Sequence, residues 1–157
     1  MNLKLLNESI NVLMVDDDRA LQTAVSMYLA SQNIKFHSVF SAAEALSSSV
    51  LDEMDVLLVD IQLPDMDGFE CAKKIQNKTL NQFATLFLSG VSMDTHSICK
   101  GYDMGCVDYL LKPVDPEILL RKVCTAYEQI QQILELEFIV EEKLALEEEL
   151  LKIDLDF

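Results

Sequence analysis

Five short apolar runs recur along the chain, and stretches with helical spacing separate them. Three of the runs, at 11–16, 55–60 and 84–89, are almost continuously apolar, which is typical of strands covered on both faces in a parallel sheet. The other two runs lie at 35–40 and 107–111. The pattern predicts five strands that alternate with helices in a three-layer α/β sandwich with right-handed crossovers.

The segments between the predicted strands carry the start and stop signals of helices. Residues 20–29 place apolar side chains at i, i+3 and i+4 spacing, and the segment from Ser41 to Glu44 is a capping box. Gly68 opens a further periodic stretch, and Gly105 stands where the fourth helix should end. These patterns do not establish the strand order, but ligands in such folds bind at the carboxyl ends of the strands.

The last part of the sequence predicts one long helix. After Pro116 nothing breaks a helix until about Ile153, and such a helix of roughly 37 residues would measure about 55 Å. Residues 135–157 carry nine acidic residues against two lysines. We therefore divide the chain into a domain at residues 1–134 and an acidic helical extension at residues 135–157.

Two heptad registers of the extension bring apolar residues together. The first seam has one polar member among six: Leu136, Ile139, Lys143, Leu146, Leu150 and Ile153. The second seam encloses two glutamates: Ile133, Glu137, Val140, Leu144, Glu147 and Leu151. The pattern predicts a parallel homodimer through a coiled coil at residues 128–153, and the alternative for so few heptads is a solvated acidic helix.

Reactive side chains stand at the carboxyl ends of the predicted strands: Asp16, Asp17, Asp18, Asp60, Ser89 and Lys112. In a parallel sheet they project from one edge into one crevice, where several carboxylates repel each other unless a cation is present. Mg²⁺, for which Mn²⁺ can substitute, prefers such oxygen ligands. A carboxylate, a metal ion, a lysine and a hydroxyl together predict a phosphoryl-transfer site.

Charge and cysteine usage exclude several classes of partner. The net charge of −15 disfavours nucleic acid and anionic membrane surfaces, because both require a basic surface. The four cysteines are scattered and form no C-x-x-C pair, as is typical of reduced thiols. The chain shows no signal-peptide pattern, and no apolar run reaches the ~18 residues of a membrane span. We expect a cytoplasmic protein that contacts neither nucleic acid nor membrane.

The chain resembles a response-regulator receiver domain of two-component phosphorelays over roughly residues 10–132. Four motifs carry the resemblance in the order and spacing of that family: VLMVDDD, DVLLVDIQLPDMDG, TLFLSG and GCVDYLLKPVD. The resemblance implies a flavodoxin-like, CheY-like (βα)5 fold. Its five-stranded parallel sheet would have the order 2-1-3-4-5, and its last helix would continue into the possible coiled coil.

The resemblance also implies the nucleophile and the metal ligands. Asp60 would be the phosphoacceptor, which explains why an apolar strand ends in a carboxylate. Asp16 and Asp17 match the acidic pair of the family, with Asp17 as the more direct Mg²⁺ ligand. Asp60 itself and the backbone carbonyl of Gln62 would complete the metal site.

The remaining site residues would form a switch. By resemblance, Lys112 would contact the phosphoryl group, and Ser89 would hydrogen-bond it. The ring of Tyr109 would turn inward when Ser89 is recruited, and the bond from Lys112 to Pro113 would be cis. The implied function is Mg²⁺-dependent phosphorylation of Asp60 by a histidine kinase or a histidine phosphotransfer protein. This step would change the surface of the fourth helix and fifth strand, and the C-terminal helix with it.

Two other functions fit parts of the sequence. A phosphatase of the haloacid-dehalogenase type shares the chemistry, and Asp16-x-Asp18 resembles its opening motif. However, Ala20 stands where that family has Thr or Val, and the loop after Asp60 stays unexplained. A pseudo-receiver would only bind proteins, although every expected site residue is present. We expect a signalling protein and not an enzyme, apart from Mg²⁺-dependent self-phosphorylation and autodephosphorylation.

No motif typical of an effector domain follows residue 134, so the sequence does not indicate how the signal is passed on. The extension is either a dimerisation arm or a signalling helix that leads to an effector domain. The acidic helix reaches IDLDF without a capping residue, which favours the signalling helix and an effector domain beyond residue 157.

Overall fold

A computed structural model describes residues 9–90 and 93–155. The strands are β1 (Ile10–Val15), β2 (Ile34–Val39), β3 (Val56–Asp60), β4 (Ala84–Ser89) and β5 (Asp108–Leu111). The α-helices are α1 (Arg19–Ala30), α2 (Ala42–Leu46), α3 (Gly68–Lys78), α4 (Thr95–Asp103) and α5 (Pro116–Leu155), and a 3₁₀-helix spans Ser49–Asp52. The alternation confirms the five predicted strands, whose observed ends differ from the predicted ones by at most one residue.

The five strands form one parallel sheet in the order β2-β1-β3-β4-β5. This is the flavodoxin-like order that the resemblance implied. The register pairs Val15 with Val59 across β1 and β3, Asp60 with Leu88 across β3 and β4, and Ser89 with Leu111 across β4 and β5. The carboxyl ends of the three central strands and β5 therefore lie at the same edge of the sheet.

Two apolar cores cover the two faces of the sheet. Because successive side chains of a strand point to opposite faces, Met14 and Leu58 pack with α1 and α5, whereas Leu13 and Leu57 pack with α2 and α3. Every residue of β3 is buried. This burial on both faces explains why the central strands read as continuous apolar runs.

Side-chain caps fix the points at which the helices begin. Asp18, Ser41, Asp67 and Asp94 are the N-caps of α1 to α4, and each accepts a hydrogen bond from a backbone N–H of the first turn. Of the predicted capping box, the Ser41 half is observed, because Ser41 Oγ accepts from the backbone N–H of Glu44 at 3.2 Å. The carboxylate of Glu44 accepts from the N–H of Phe40 at 3.0 Å, one residue before the N-cap. The fourth helix ends as expected just before Gly105.

The long C-terminal helix is confirmed as α5, whose 40 residues correspond to about 60 Å. Its first half packs on the sheet through Leu119, Val123, Ala126 and Tyr127. From residue 132 to residue 155 every side chain is exposed. The helix therefore extends past the domain, and the boundary at residue 134 and the coiled coil stay predictions.

Among the described residues, no helix combines the length and the apolar character needed to cross a membrane.

Candidate functional site

The parallel register brings the predicted site residues to one edge of the sheet. Asp60 and Ser89 are the last residues of β3 and β4, and Asp16 and Lys112 directly follow β1 and β5. Carboxylate oxygens of Asp16, Asp17 and Asp60 all lie within 4.8 Å of one another. The structure thus confirms that these carboxylates converge, as the strand-end pattern predicted.

Lys112 lies between two of the carboxylates. Its Nζ is 2.7 Å from Oδ2 of Asp16 and 2.8 Å from Oδ2 of Asp60. Burial alone would lower the pKa of the Lys112 ammonium, but its close contacts with the carboxylates of Asp16 and Asp60 raise it above its ordinary value. Burial raises the pKa of Asp16, against the opposite effect of Lys112. The lysine therefore stays charged and offsets part of the repulsion.

The donor set fits a hard divalent cation. Three carboxylates carry a formal charge of about −3, which a single lysine does not neutralise. Oδ2 of Asp16 is fully buried, and among the described residues it has the Lys112 ammonium beside it but no well-directed hydrogen bond. Asp17 is exposed, so the cluster opens to solvent on one side. Carboxylate oxygens arranged in this way are ligands that Mg²⁺ prefers.

The backbone around Asp60 is held tightly. Asp60 is 6% exposed, and its Oδ1 accepts a hydrogen bond from the backbone N–H of Gln62 at 2.9 Å. The start of α3 lies against the end of β3, where a Cβ on Gly68 would come within 2.7 Å of the Cα of Ile61. Only glycine allows this approach, and it fixes the direction in which the chain leaves the site. The role of the Gln62 carbonyl as a metal ligand stays a prediction.

The predicted switch residues lie on β4 and β5. Ser89 is buried at the end of β4, and its carbonyl accepts from the backbone N–H of Lys112 at 2.8 Å. The ring of Tyr109 packs against Phe87 and Tyr102, with centroid distances of 5.7 and 5.4 Å. Burial raises the pKa of Tyr109 to about 12. The peptide bond from Lys112 to Pro113 is cis, as the resemblance implied.

Asp18 lies outside this cluster of carboxylates. Its side chain accepts from the backbone N–H of Leu21 at 3.0 Å and caps α1. Of the three consecutive aspartates, the structure therefore brings Asp16 and Asp17 to Asp60 and gives Asp18 a different role.

Gln22 supports the acidic turn, which is formed by residues 16–18 after β1. No role for it was predicted from the sequence. It is 2% exposed, and its amide nitrogen donates toward the carbonyls of Met14, Asp16 and Val39 at 3.0, 3.2 and 2.8 Å. It thereby ties the ends of β1 and β2 to α1. A polar residue on the buried face of α1, in line with Val25, was the available signal.

Asp65 is the second residue that the sequence prediction missed. Its two carboxylate oxygens accept from the backbone N–H groups of Ala42 and Ala43 at 3.0 and 2.9 Å. These hydrogen bonds lower the pKa of Asp65. They tie the loop that follows Asp60 to the start of α2. Because the partners are backbone groups of a distant segment, the sequence carries no local signal for this contact.

The parallel sheet and the acidic cluster at its edge define the receiver class of domains, and comparison with known proteins agrees. Residues 12–124 match the family model of the response regulator receiver domain. The chain therefore belongs to this family. A protein of Pyropia yezoensis named probable transcriptional regulator ycf29 is 35% identical over 113 residues, which are 71% of this chain and 50% of that protein. The chain thus spans about half the length of the curated relatives it matches.

Solved structures show the same fold. A CheY-like receiver domain protein of Methanospirillum hungatei JF-1 has a TM-score of 0.71 at 24% identity, over 80% of this chain and 98% of that one. A two-component response regulator of Clostridium difficile has a TM-score of 0.69 at 26% identity, over 76% of this chain and 97% of that one.

Replacing Gln22 with Met should destabilise the domain. The substitution keeps the volume of the side chain but removes the donors that three carbonyls share. We expect the free energy of unfolding to fall by about 1–3 kcal/mol, measured by urea denaturation. Gln32→Met is the matched control, because Gln32 is exposed on the loop after α1, and its effect should stay within about 0.5 kcal/mol. Equal effects of the two substitutions would contradict the supporting role of Gln22.

Mg²⁺ should stabilise the folded protein through the carboxylate cluster. At a concentration about 100 times the dissociation constant, binding adds about 2.7 kcal/mol to the free energy of unfolding. Asp17→Asn should shift this stabilisation to higher Mg²⁺ concentration, because it removes a ligand at an exposed position. Asp18→Asn removes the same charge outside the cluster and should have a much smaller effect. If Mg²⁺ stabilises both variants equally, the stabilisation comes from the overall negative charge, and ligation by the carboxylate cluster is contradicted.

Proposed function

We propose that this chain accepts a phosphoryl group on Asp60 and acts as the switch of a two-component signalling protein. One observation carries the proposal: the Asp60 carboxylate lies at the end of a fully buried strand, 2.8 Å from the Lys112 ammonium and within 4.8 Å of Asp16 and Asp17. Family membership supports the same conclusion. The pairing of a nucleophilic carboxylate with cationic groups suits phosphoryl transfer.

The proposed reaction is a direct transfer from a phosphohistidine. An oxygen of Asp60 attacks phosphorus, the P–N bond of the donor breaks, and the electron pair stays on the imidazole nitrogen. The product on this chain is an acyl phosphate. Lys112 neutralises charge on the phosphoryl oxygens, and the Ser89 hydroxyl hydrogen-bonds one of them. Bound Mg²⁺, held by Asp16, Asp17, Asp60 and the Gln62 carbonyl, would withdraw charge from the same oxygens.

The partners follow from this chemistry. The donor is a histidine kinase or a histidine phosphotransfer protein, and the location is cytoplasmic. The chain is not a turnover enzyme, since its reactions are its own phosphorylation and dephosphorylation. The net charge of −15 supports the absence of direct contact with nucleic acid or anionic membrane. The changed surface is that of α4 and β5, where bonds from Ser89 and Lys112 to the phosphoryl group favour one of two states.

Acetyl phosphate with Mg²⁺ should place one labile phosphoryl group on the protein. Intact mass spectrometry should show the adduct on the wild type and on Asp67→Asn, but not on Asp60→Asn or without Mg²⁺. Asp67→Asn is the matched control, because Asp67 lies in the same loop and Asn preserves its capping role. An adduct on Asp60→Asn would contradict the assignment. The absence of an adduct on the wild type would favour a pseudo-receiver.

The exposed half of α5 is proposed as an assembly element. Its side chains from residue 132 to residue 155 are exposed. The apolar residues of the first seam form an uncovered stripe: Leu136, Ile139, Leu146, Leu150 and Ile153, each 54–63% exposed. A second copy in a parallel coiled coil through residues 128–153 would bury this stripe. The helix would then carry the state of the domain to an effector region, for which a relative that is only half covered by the matched residues is a precedent.

The charges beside this stripe set the conditions for assembly. Glu142 and Glu149 flank it on one side, and Glu147 and Asp154 on the other. In a parallel pair the acidic flank of one helix faces the acidic flank of the other, and Lys143 faces its own copy within the seam. Repulsion between exposed charges weakens as salt screens it. The homodimer is therefore expected to tighten with ionic strength.

Light scattering over a range of concentrations should show a monomer–dimer equilibrium that shifts toward the dimer as salt increases. Leu146→Gln should abolish the dimer. Leu144→Gln is the matched control, because Leu144 is similarly exposed but lies outside the first seam. Loss of the dimer in Leu144→Gln alone would indicate the second register. A monomer at every concentration and salt would contradict the homodimer.

A further inference from the structure

The phenol of Tyr109 reaches into the middle of α4. Its hydroxyl donates a hydrogen bond toward the backbone carbonyl of Ser97 and lies at the same distance, 3.0 Å, from the carbonyl of Ile98. Ser97 and Ile98 lie in the first turn of α4, and their carbonyls point along the helix axis toward Gly101 and Tyr102, four residues further on. The phenol must therefore approach the helix backbone itself, which requires a gap among the side chains of α4.

Gly101 provides this gap. It is the one residue of α4, all of which the structure describes, that is buried. A Cβ built on Gly101 would overlap the Tyr109 hydroxyl, and it would lie 2.7 Å from Cζ of Tyr109 and 3.2 Å from Cε1 of Phe69. The backbone of Gly101 does not have a positive φ, so its torsion angles do not require glycine. Because glycine disfavours a helix interior relative to alanine, the approach of Tyr109 is the physical reason for its presence.

The other ring contacts of α4 involve the same part of the domain. The ring of Tyr102 meets that of Tyr109 in a T-shaped contact at 5.4 Å. The ammonium of Lys100 lies over the ring of Phe69 at 5.0 Å. Tyr102 remains 48% exposed. The side chains of α4 thus add little burial of their own, and the helix packs mainly where Gly101 receives Tyr109.

We propose that Gly101 is the positioning residue of the aromatic switch, because its missing side chain forms the slot that admits the Tyr109 phenol to the carbonyls of α4. The inference deepens the proposed function and rests on it for its signalling consequence. The inward orientation of the Tyr109 ring and the packing of α4 are then coupled, because each depends on the ring filling the slot. When the ring turns outward, the carbonyls of Ser97 and Ile98 lose the phenol and a void opens beside Phe69.

This arrangement gives the switch two distinct states. A ring that fills a slot of fixed shape is either inside it or outside it, since packed interiors resist intermediate positions. Turning the ring therefore frees α4 at its main point of contact. The surface that changes is formed by α4 and β5, which is the surface named in the proposed function.

A double-mutant cycle tests the slot. Gly101→Ala and Tyr109→Leu are made singly and together, and the equilibrium constant of unfolding is measured in urea without any phosphoryl donor. In the wild-type background, Gly101→Ala should raise this constant about tenfold, because the new methyl group meets the phenol. In the Tyr109→Leu background the slot is empty, and the same substitution should lower the constant about fivefold through helix propensity.

The reversal of sign distinguishes a slot from other reasons for the glycine. Stabilisation by Gly101→Ala in both backgrounds would show that no slot is needed. Equal destabilisation in both would assign the glycine to another neighbour, such as Phe69. If Gly101→Ala does not fold alone, the Tyr109→Leu background decides, because the double variant must then be more stable than Tyr109→Leu. Stabilisation in both backgrounds, or equal destabilisation in both, overturns the proposal.

A spectroscopic measurement follows the ring directly. In Gly101→Ala the ring resonances of Tyr109, identified by their loss in Tyr109→Leu, should shift together with those of Tyr102, while those of Tyr28 and Tyr127 stay in place. Unchanged Tyr109 resonances would contradict the slot. Because no donor is present, these results do not depend on whether Asp60 accepts a phosphoryl group, and the two proposals fail separately.

Discussion

Electrostatic repulsion among three carboxylates at one sheet edge is the constraint on which the rest of the structure depends. Asp16, Asp17 and Asp60 converge within 4.8 Å, and Lys112 offsets only part of their charge. Such a cluster is stable only where it is held in place by its surroundings. The buried strand β3 and the parallel register keep the carboxylates in place. They fix Asp60 opposite neighbours that cannot move without unpacking both cores.

The loops around the cluster are held by contacts between distant parts of the chain. Gln22 ties the acidic turn to the ends of β1 and β2, and Asp65 ties the loop after Asp60 to α2. The close approach of Gly68 to the end of β3 sets the exit of that loop. Loops near a site that must bind and release a cation are ordinarily mobile. Here hydrogen bonds to backbone groups restrict them, so that the carboxylates are held at a fixed spacing.

The strands, the long helix and the converging residues could be predicted from the sequence, because each leaves a local pattern. The apolar run that ends in Asp60 is visible as such, and so is the absence of Gly and Pro after Pro116. The contacts of Asp65 and Gly101 could not be predicted, because their partners are backbone atoms or a ring brought close only by the fold. Gln22 lies between these cases. Its polar side chain on an apolar face was visible, but its three carbonyl partners were not.

A continuous set of contacts links the cluster to α5. Lys112 follows β5, and on that strand Tyr109 faces α4. On the other side of β5, the Nζ of Lys122 on α5 donates to the carbonyl of Tyr109 at 2.7 Å and pairs with Asp108 at 3.0 Å. Tyr109, the residue proposed as the aromatic switch, is therefore held by its backbone to the helix that extends past the domain. The contacts of Lys122 with Asp108 and Tyr109 thus bind α5 directly to β5. Because α5 is unbroken to Leu155, the same helix that is bound to β5 through Lys122 also carries the exposed stripe.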